Sequence, residues 1–144
     1  MPTDVAYLKN FNCFRDLTNE QINMIAEISS AVCYPKNYVI FEEGEVGDRL
    51  YLLLKGEVEV SYKIGEDGLV KVVTVAGEEI VGCSALVEPY TYTATERSLT
   101  EIEVLEVKLD PLRALMKKDC ALGFKIQQHV IEILIERIID LRLG

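Results

Sequence analysis

Apolar positions change their spacing twice along this chain. Ile22, Ile25, Ala26 and Ile28 recur at helical intervals, and Thr18 and Gln21 stand at capping-box spacing ahead of them, which predicts a short helix over 18–30. Upstream, Leu8, Phe11, Phe14 and Leu17 supply apolar side chains in a stretch too short for more than a turn of helix, a lead-in that packs on a core. From Val39 to Leu109 the period becomes two, clearest at Val58, Val60, Tyr62 and Ile64. Gly44, Gly47, Gly56, Gly65, Gly68 and Gly77 stand at the breaks. Six strand-like runs with no helix between them predict an antiparallel sheet folded over on itself. Gly65-Glu66-Asp67-Gly68 suits a hairpin with a glycine at positive φ.

Helix returns after the strands. Asp110-Pro111 reads as an N-cap followed by proline at the first helical position, opening a short helix through Met116. Asp119 is a second start signal, and a helix of roughly 23 residues from there to Leu143 would be about 35 Å long. Lys125, His129, Glu132, Glu136 and Asp140 form one polar stripe on it, which places His129 in solvent. Phe124, Ile131, Leu134, Ile138 and Leu141 keep heptad spacing, and Ile126, Val130, Ile133, Ile135 and Ile139 widen the apolar face beyond one stripe. The excess predicts burial against a second copy in a two-fold dimer. The plainer alternative is a helix that only covers the mouth of its own barrel. The fold class is mainly β with flanking α: an antiparallel jelly roll or barrel with an N-terminal helix and two C-terminal helices, the last one long. One domain, 1–144, divides into an N-terminal helical lead-in (1–37), a β-roll (38–109) and C-terminal helices (110–144).

The 144 residues suffice for one hydrophobic core and are too few for a sensor plus a separate effector. With 24 acidic against 15 basic residues the net charge is −9, which disfavours nucleic acid and anionic membranes as direct partners. The start, MPTDVAYLKN, has no basic leader or apolar core, and no run approaches the ~20 apolar residues of a membrane span. A cytoplasmic location is expected. Cys13, Cys33, Cys83 and Cys120 lie far apart with no CxxC pair, so each reads as a small, buried, reduced side chain. With a single histidine, no Ser-His-Asp arrangement, no dinucleotide loop and no P-loop, the chain reads as neither an enzyme nor a metalloprotein. No cofactor is expected.

The segment from Phe41 to Val60 spaces its glycines three and nine residues apart in strand-turn-strand context. Gly82-Cys83-Ser84-Ala85-Leu86 is followed by Tyr92-Thr93-Ala94-Thr95. With the lead-in and the closing helices, this resembles the cyclic-nucleotide-binding domain superfamily of the catabolite activators and the regulatory subunits of cyclic-AMP-dependent kinase, from about Leu8 to Leu141. The resemblance implies a strand, a single helical turn and another strand, with backbone N–H groups at the turn holding a cyclic phosphate. It also implies a glutamate on the ribose hydroxyl and an arginine on the phosphate. Gly82, Ala85, Leu86, Thr93, Ala94 and Thr95 match the family pattern; Cys83 and Tyr92 replace the glutamate and the arginine. Loss of the arginine alone would cost on the order of 2–5 kcal/mol, roughly 30- to several-thousand-fold in affinity.

The ligand-binding residues this implies are Gly82, Cys83, Ser84, Ala85, Leu86, Tyr92, Thr93 and Ala94. Ser84 and Thr93 add hydroxyls, and Tyr92 is either a packed aromatic or a ligand contact. Arg97, at the strand parity of Thr93 and Thr95, either reaches inward or lies on the surface. Cys83, at the start of a helical turn, also admits a redox reading. Two functions follow. One is a non-catalytic regulatory domain that senses a nucleotide, a cyclic nucleotide such as cyclic AMP or cyclic GMP, or another small anion, and signals through the last helix to an effector protein. The other is a protein-protein interaction module whose pocket has degenerated and binds no cyclic nucleotide. The chain's last residues, Leu143-Gly144, leave no room for a helix-turn-helix, so any effect on DNA is expected to run through another protein.

Overall fold

The computed structural model describes residues 8–143 except 10, 12, 13, 67 and 78. The first helix, α1 (Asn19–Glu27), forms where the sequence places it because both halves of the capping box close. The Thr18 hydroxyl accepts from the Gln21 amide at 3.1 Å, and the Gln21 side chain accepts from the Thr18 amide at 3.0 Å. It buries Ile22 and Ile25 against the core, as do Leu8, Phe11, Phe14 and Leu17 of the lead-in.

The helix is shorter than the expected 18–30. The Ile28 amide turns back onto Ala26 and Ile25, and the Ile28 carbonyl accepts from the Lys108 amide, so Ser29 leaves the helix as a strand. That strand, β1 (Ser29–Tyr34), pairs residue by residue with β8 (Ile102–Lys108). Between them come β2 (Val39–Phe41), β3 (Arg49–Lys55), β4 (Glu57–Ile64), β5 (Leu69–Ala76), β6 (Ile80–Val81) and β7 (Thr95–Ser98). Among the described residues there are eight strands: seven lie in the span where six runs were expected, the shortest being β2 and β6, and β1 lies where the N-terminal lead-in was placed. They make two four-stranded antiparallel sheets, ordered β1-β8-β3-β6 and β2-β7-β4-β5, the jelly-roll arrangement anticipated.

The core lies between the sheets and beneath the helices. Successive residues Leu50–Leu53 of β3 and Val104–Val107 of β8 are buried, so the middle strands of the first sheet are covered on both faces; β3 reads as an apolar run rather than alternation, and β8 carries the buried Glu106 within its run. The β4–β5 hairpin closes in register, Ile64 opposite Leu69, with Gly65 and Gly68 at φ +66° and +72°. Asp67 of that turn lies outside the described residues.

Helix α2 (Leu109–Lys118) begins two residues earlier than Asp110-Pro111 suggested. Leu109 is buried and its amide donates to the Asp48 carbonyl, so the backbone turns helical there and Asp110 falls inside the first turn. Its carboxylate pairs with Arg113 at 2.7 Å instead of capping. Helix α3 (Cys120–Leu143, 24 residues) starts at the expected signal: Asp119 accepts from the Leu122 amide at 3.1 Å and from the Gln21 side chain at 3.0 Å, tying the root of α3 to α1.

Only part of α3 packs on its own domain. Leu122, Ile126 and Val130 are buried, whereas Phe124, Ile131, Leu134, Ile135, Ile138 and Ile139 are 42% to 67% exposed. The polar stripe is less solvated than expected: Lys125 Nζ donates to the Asp16 carbonyl at 2.6 Å, and His129 is partly covered, its Nδ1 3.5 Å from Glu132. The side chains of Asp140 and Leu141 lie outside those described. Among the described residues, no helix is long and apolar enough to cross a membrane.

Candidate functional site

Strand β6 gives way to Gly82, whose φ of +82° suits glycine, and the chain enters a 310 turn over Cys83–Leu86. This is the strand–turn–strand that the resemblance implied. Three backbone bonds pin the return limb to the loop after β2: Gly44 to Tyr92, Gly47 to Tyr90 and Tyr92 to Glu45, all amide to carbonyl at 2.7–2.9 Å. The Ser84 hydroxyl donates to the Thr91 carbonyl and accepts from the Thr93 amide, both at 3.1 Å, so it staples the two limbs together. On the outer side Arg113 of α2 donates to the carbonyls of Ala85 and Leu86 and lies 4.6 Å from the centre of the Tyr90 ring. The turn is therefore locked to a helix.

Tyr92 is a packed aromatic. It is 4% exposed, stacks on Phe41 with centroids 3.8 Å apart, and donates its hydroxyl to the Arg49 carbonyl at 2.7 Å. Its ring fills the space left by two glycines: a Cβ on Gly47 would meet it at 2.5 Å and one on Gly82 at 3.1 Å. Ala85 is buried beneath the turn, and Leu86 faces the outer side. Gly82, Cys83, Ser84, Thr93 and Ala94 line a common cavity.

The structure adds groups to that cavity that the sequence reading did not single out: Tyr62 from β4, Glu96 from β7, and Ile133, Leu134 and Arg137 from α3. The cavity holds about 40 Å³. Small-molecule sites run to about 300–1,000 Å³, so α3 closes this one nearly to nothing. A wider open groove of about 430 Å³ lies on the far side of the turn, between Val87, Tyr90, Arg113 and Phe124. Its guanidinium is already spent on the turn carbonyls and Asp110, so size alone does not make it the site.

Glu96 is 5% exposed. Burial pushes its carboxyl up to about 8, against the opposing pull of Arg137 and a backbone hydrogen bond at Gly82. Its Oε1 has no hydrogen-bond partner. Strand parity could have found it: Ala94 points inward, so Glu96 does too, and a carboxylate on the core face is the anomaly. Arg97 lies on the opposite face, its guanidinium bonded to Asn37 at 3.0 Å and Glu59 at 3.1 Å.

Burial, joined by the charge of Glu96, also pushes the Cys83 thiol up to about 11, the reverse of what a reactive thiolate needs. Cys33 and Cys120 are exposed rather than buried: Cys33 lies on the outer face of β1 and Cys120 at the first residue of α3. Cys13 lies outside the described residues. Among those residues no cluster of three or more potential metal ligands occurs.

The cyclic nucleotide-binding domain model matches residues 31–119, most of the chain and the β-sheet and 310-turn part of this site; Ile133, Leu134 and Arg137 of α3 lie beyond it. The chain belongs to that family. A crystal structure of a Geobacter metallireducens protein, provisionally named as cyclic nucleotide-binding, is 31% identical and superposes with a TM-score of 0.83 over 94% of this chain and 98% of that one. The cAMP-dependent protein kinase regulatory subunit of Yarrowia lipolytica is 33% identical over 111 residues, 76% of this chain and 28% of the subunit. A CRP-like cAMP-activated global transcriptional regulator of Mycobacterium tuberculosis is 26% identical over 102 residues. The match covers 70% of this chain and 45% of that regulator, so the chain spans less than half the length of this curated relative.

Proposed function

We propose that this member of the family is a non-catalytic sensor domain in which a nucleotide, cyclic nucleotide or similar small anion displaces α3 from the cavity beside the 310 turn. The carrying observation is that one element does two things. Ile133, Leu134 and Arg137 of α3 complete the wall of the cavity, and the same helix exposes an apolar face. A nucleotide cannot enter about 40 Å³, so binding requires α3 to yield. A ligand shifts a conformational equilibrium only by its differential affinity for the two forms. Closure by α3 supplies that difference: the closed form excludes the guest and the displaced form admits it.

The cation for an anionic guest comes from a new place. Tyr92 occupies the position where the family pattern has arginine, and Arg137 brings a guanidinium to the same cavity from α3. The displacement is therefore a shift that clears Ile133 and Leu134 from the cavity while leaving the Arg137 guanidinium within reach of the anion.

Phe124, Ile131, Leu134 and Ile138 lie along one side of α3 at heptad spacing, all exposed in the single chain. Burying what remains exposed of these and their neighbours is worth on the order of 5–9 kcal/mol per copy before association costs, so a two-fold dimer through α3 fits. Leu134 belongs to both this face and the cavity wall, which couples occupancy to the dimer.

Titration calorimetry with cyclic AMP, cyclic GMP and linear nucleotides tests the reading. Saturable heat below millimolar concentration is expected from at least one; none from any of them would leave the second reading, an interaction module with a degenerate pocket, for which the packed Tyr92 ring and the small cavity speak.

A further inference from the structure

Among the described residues two carboxylates are buried, and only one is provided for. Glu106 receives the Arg49 guanidinium at 2.8 Å on one oxygen and the Tyr34 hydroxyl on the other. Glu96, equally buried, has a backbone hydrogen bond at Gly82 and nothing on Oε1. Its charged and titratable neighbours come from three elements: the Cys83 thiol of the 310 turn, the Tyr62 phenol of β4 and the Arg137 guanidinium of α3. Arg137 is near enough to act on it electrostatically, yet among the described ion pairs none joins the two. Leaving a buried acceptor unpaired is costly, and the cost disappears if the residue is apolar. Val58 and Val60 on the neighbouring strand β4 show that apolar side chains fill such inward positions of this sheet.

We propose that Glu96 is the specificity residue of the cavity: Oε1 accepts a hydrogen bond from an O–H or N–H donor of the guest, which a carboxyl can do with or without its proton, so the guest presents a donor to that wall. This assignment rests on the sensor reading and deepens it. The guest is bipolar, with a phosphate-like anion held clear of Glu96 and a hydroxyl or amino group against it. A sugar hydroxyl and a base amino group share this chemistry, and cyclic AMP carries both.

The test is calorimetry of the full chain with cyclic AMP, its 2′-deoxy analogue, which lacks the sugar hydroxyl, and cyclic purine-riboside monophosphate, which lacks the amino group. Against the wild-type chain one of the two analogues is expected to bind about tenfold or more weakly than cyclic AMP, the effect of one buried hydrogen bond left unmade. Which one it is identifies the donor. In E96L the same analogue is expected to fall within about twofold of cyclic AMP, and in E96Q, whose carbonyl still accepts, the discrimination is kept. Thermal melting of the ligand-free E96L chain is expected at or above the wild-type temperature. Two equally well-bound analogues, or discrimination that survives in E96L, would overturn the assignment while leaving the sensor reading intact. A marked fall in melting temperature of ligand-free E96L would also overturn it, by making Glu96 structural. No heat from any of the three nucleotides would overturn the assignment, and silence from cyclic GMP and the linear nucleotides as well would sink the sensor reading with it.

Discussion

Replacing Glu96 by glutamine perturbs one proton and little else, and the structure fixes the sign of the effect. In the unfolded chain the carboxyl titrates near its ordinary value of 4.5, while in the fold burial raises it to about 8. Between those values the folded state keeps a proton that the unfolded state has lost. The contribution to stability is therefore whole below about pH 4.5 and drains away as pH rises through about 8. The slope in that window is about 1.4 kcal/mol per pH unit. Carried across it, the total is on the order of 4–5 kcal/mol, about a quarter or more of the 5–15 kcal/mol that typically holds a domain together. Glutamine keeps the shape and stays neutral throughout, so the difference between wild type and E96Q isolates this term. Urea denaturation followed by circular dichroism at pH 5, 6, 7 and 8, at one fixed protein concentration because a dimer makes stability concentration-dependent, measures it. The glutamine variant is expected to gain on wild type at each step up in pH. Parallel curves would refute the reasoning. So would wild type gaining on E96Q, the signature of a carboxylate made whole by Arg137.

Other expectations follow from the same contacts. Gly47→Ala drives a Cβ to within 2.5 Å of both Ala85 and the Tyr92 ring, so about 1–3 kcal/mol of stability should be lost in urea denaturation. Thr18→Ala removes one half of the capping box and should cost about 1 kcal/mol by the same assay. Ile131→Glu, on an exposed position of the α3 face, should convert a dimer to a folded monomer in sedimentation analysis, with the circular dichroism spectrum unchanged. In the native chain a thiol reagent should label Cys33 and Cys120 well before Cys83, as read by mass spectrometry of the digested protein.

How far the sequence exposed this molecule depended on whether the deciding interaction was local. The α1 cap, the β4–β5 hairpin and the start of α3 at Asp119 are short-range events, and each was legible from residues within a few positions. Strand β1 was not: Ser29–Tyr34 takes its conformation from β8, more than 60 residues away, which overrides the helical spacing running into it. Asp110 looked like a cap because its neighbours do not announce that the Leu109 amide is claimed by Asp48. At the site, the motif placed Gly82–Leu86 and Thr93–Ala94 correctly in one loop, but the cavity is completed by Arg137, a residue of a distant helix with no motif of its own. Glu96 was within reach, since the parity that sends Ala94 inward sends it inward as well and puts Arg97 on the opposite face.

Amide hydrogen exchange along α3, read with and without saturating cyclic nucleotide, goes to the centre of the account. Occupation of the cavity is predicted to change exchange at residues 130–139, where Ile133, Leu134 and Arg137 close it, and to leave the core strands β3 and β8 as they were. Saturable binding with unaltered exchange over 130–139 would contradict the claim that a guest must displace this helix.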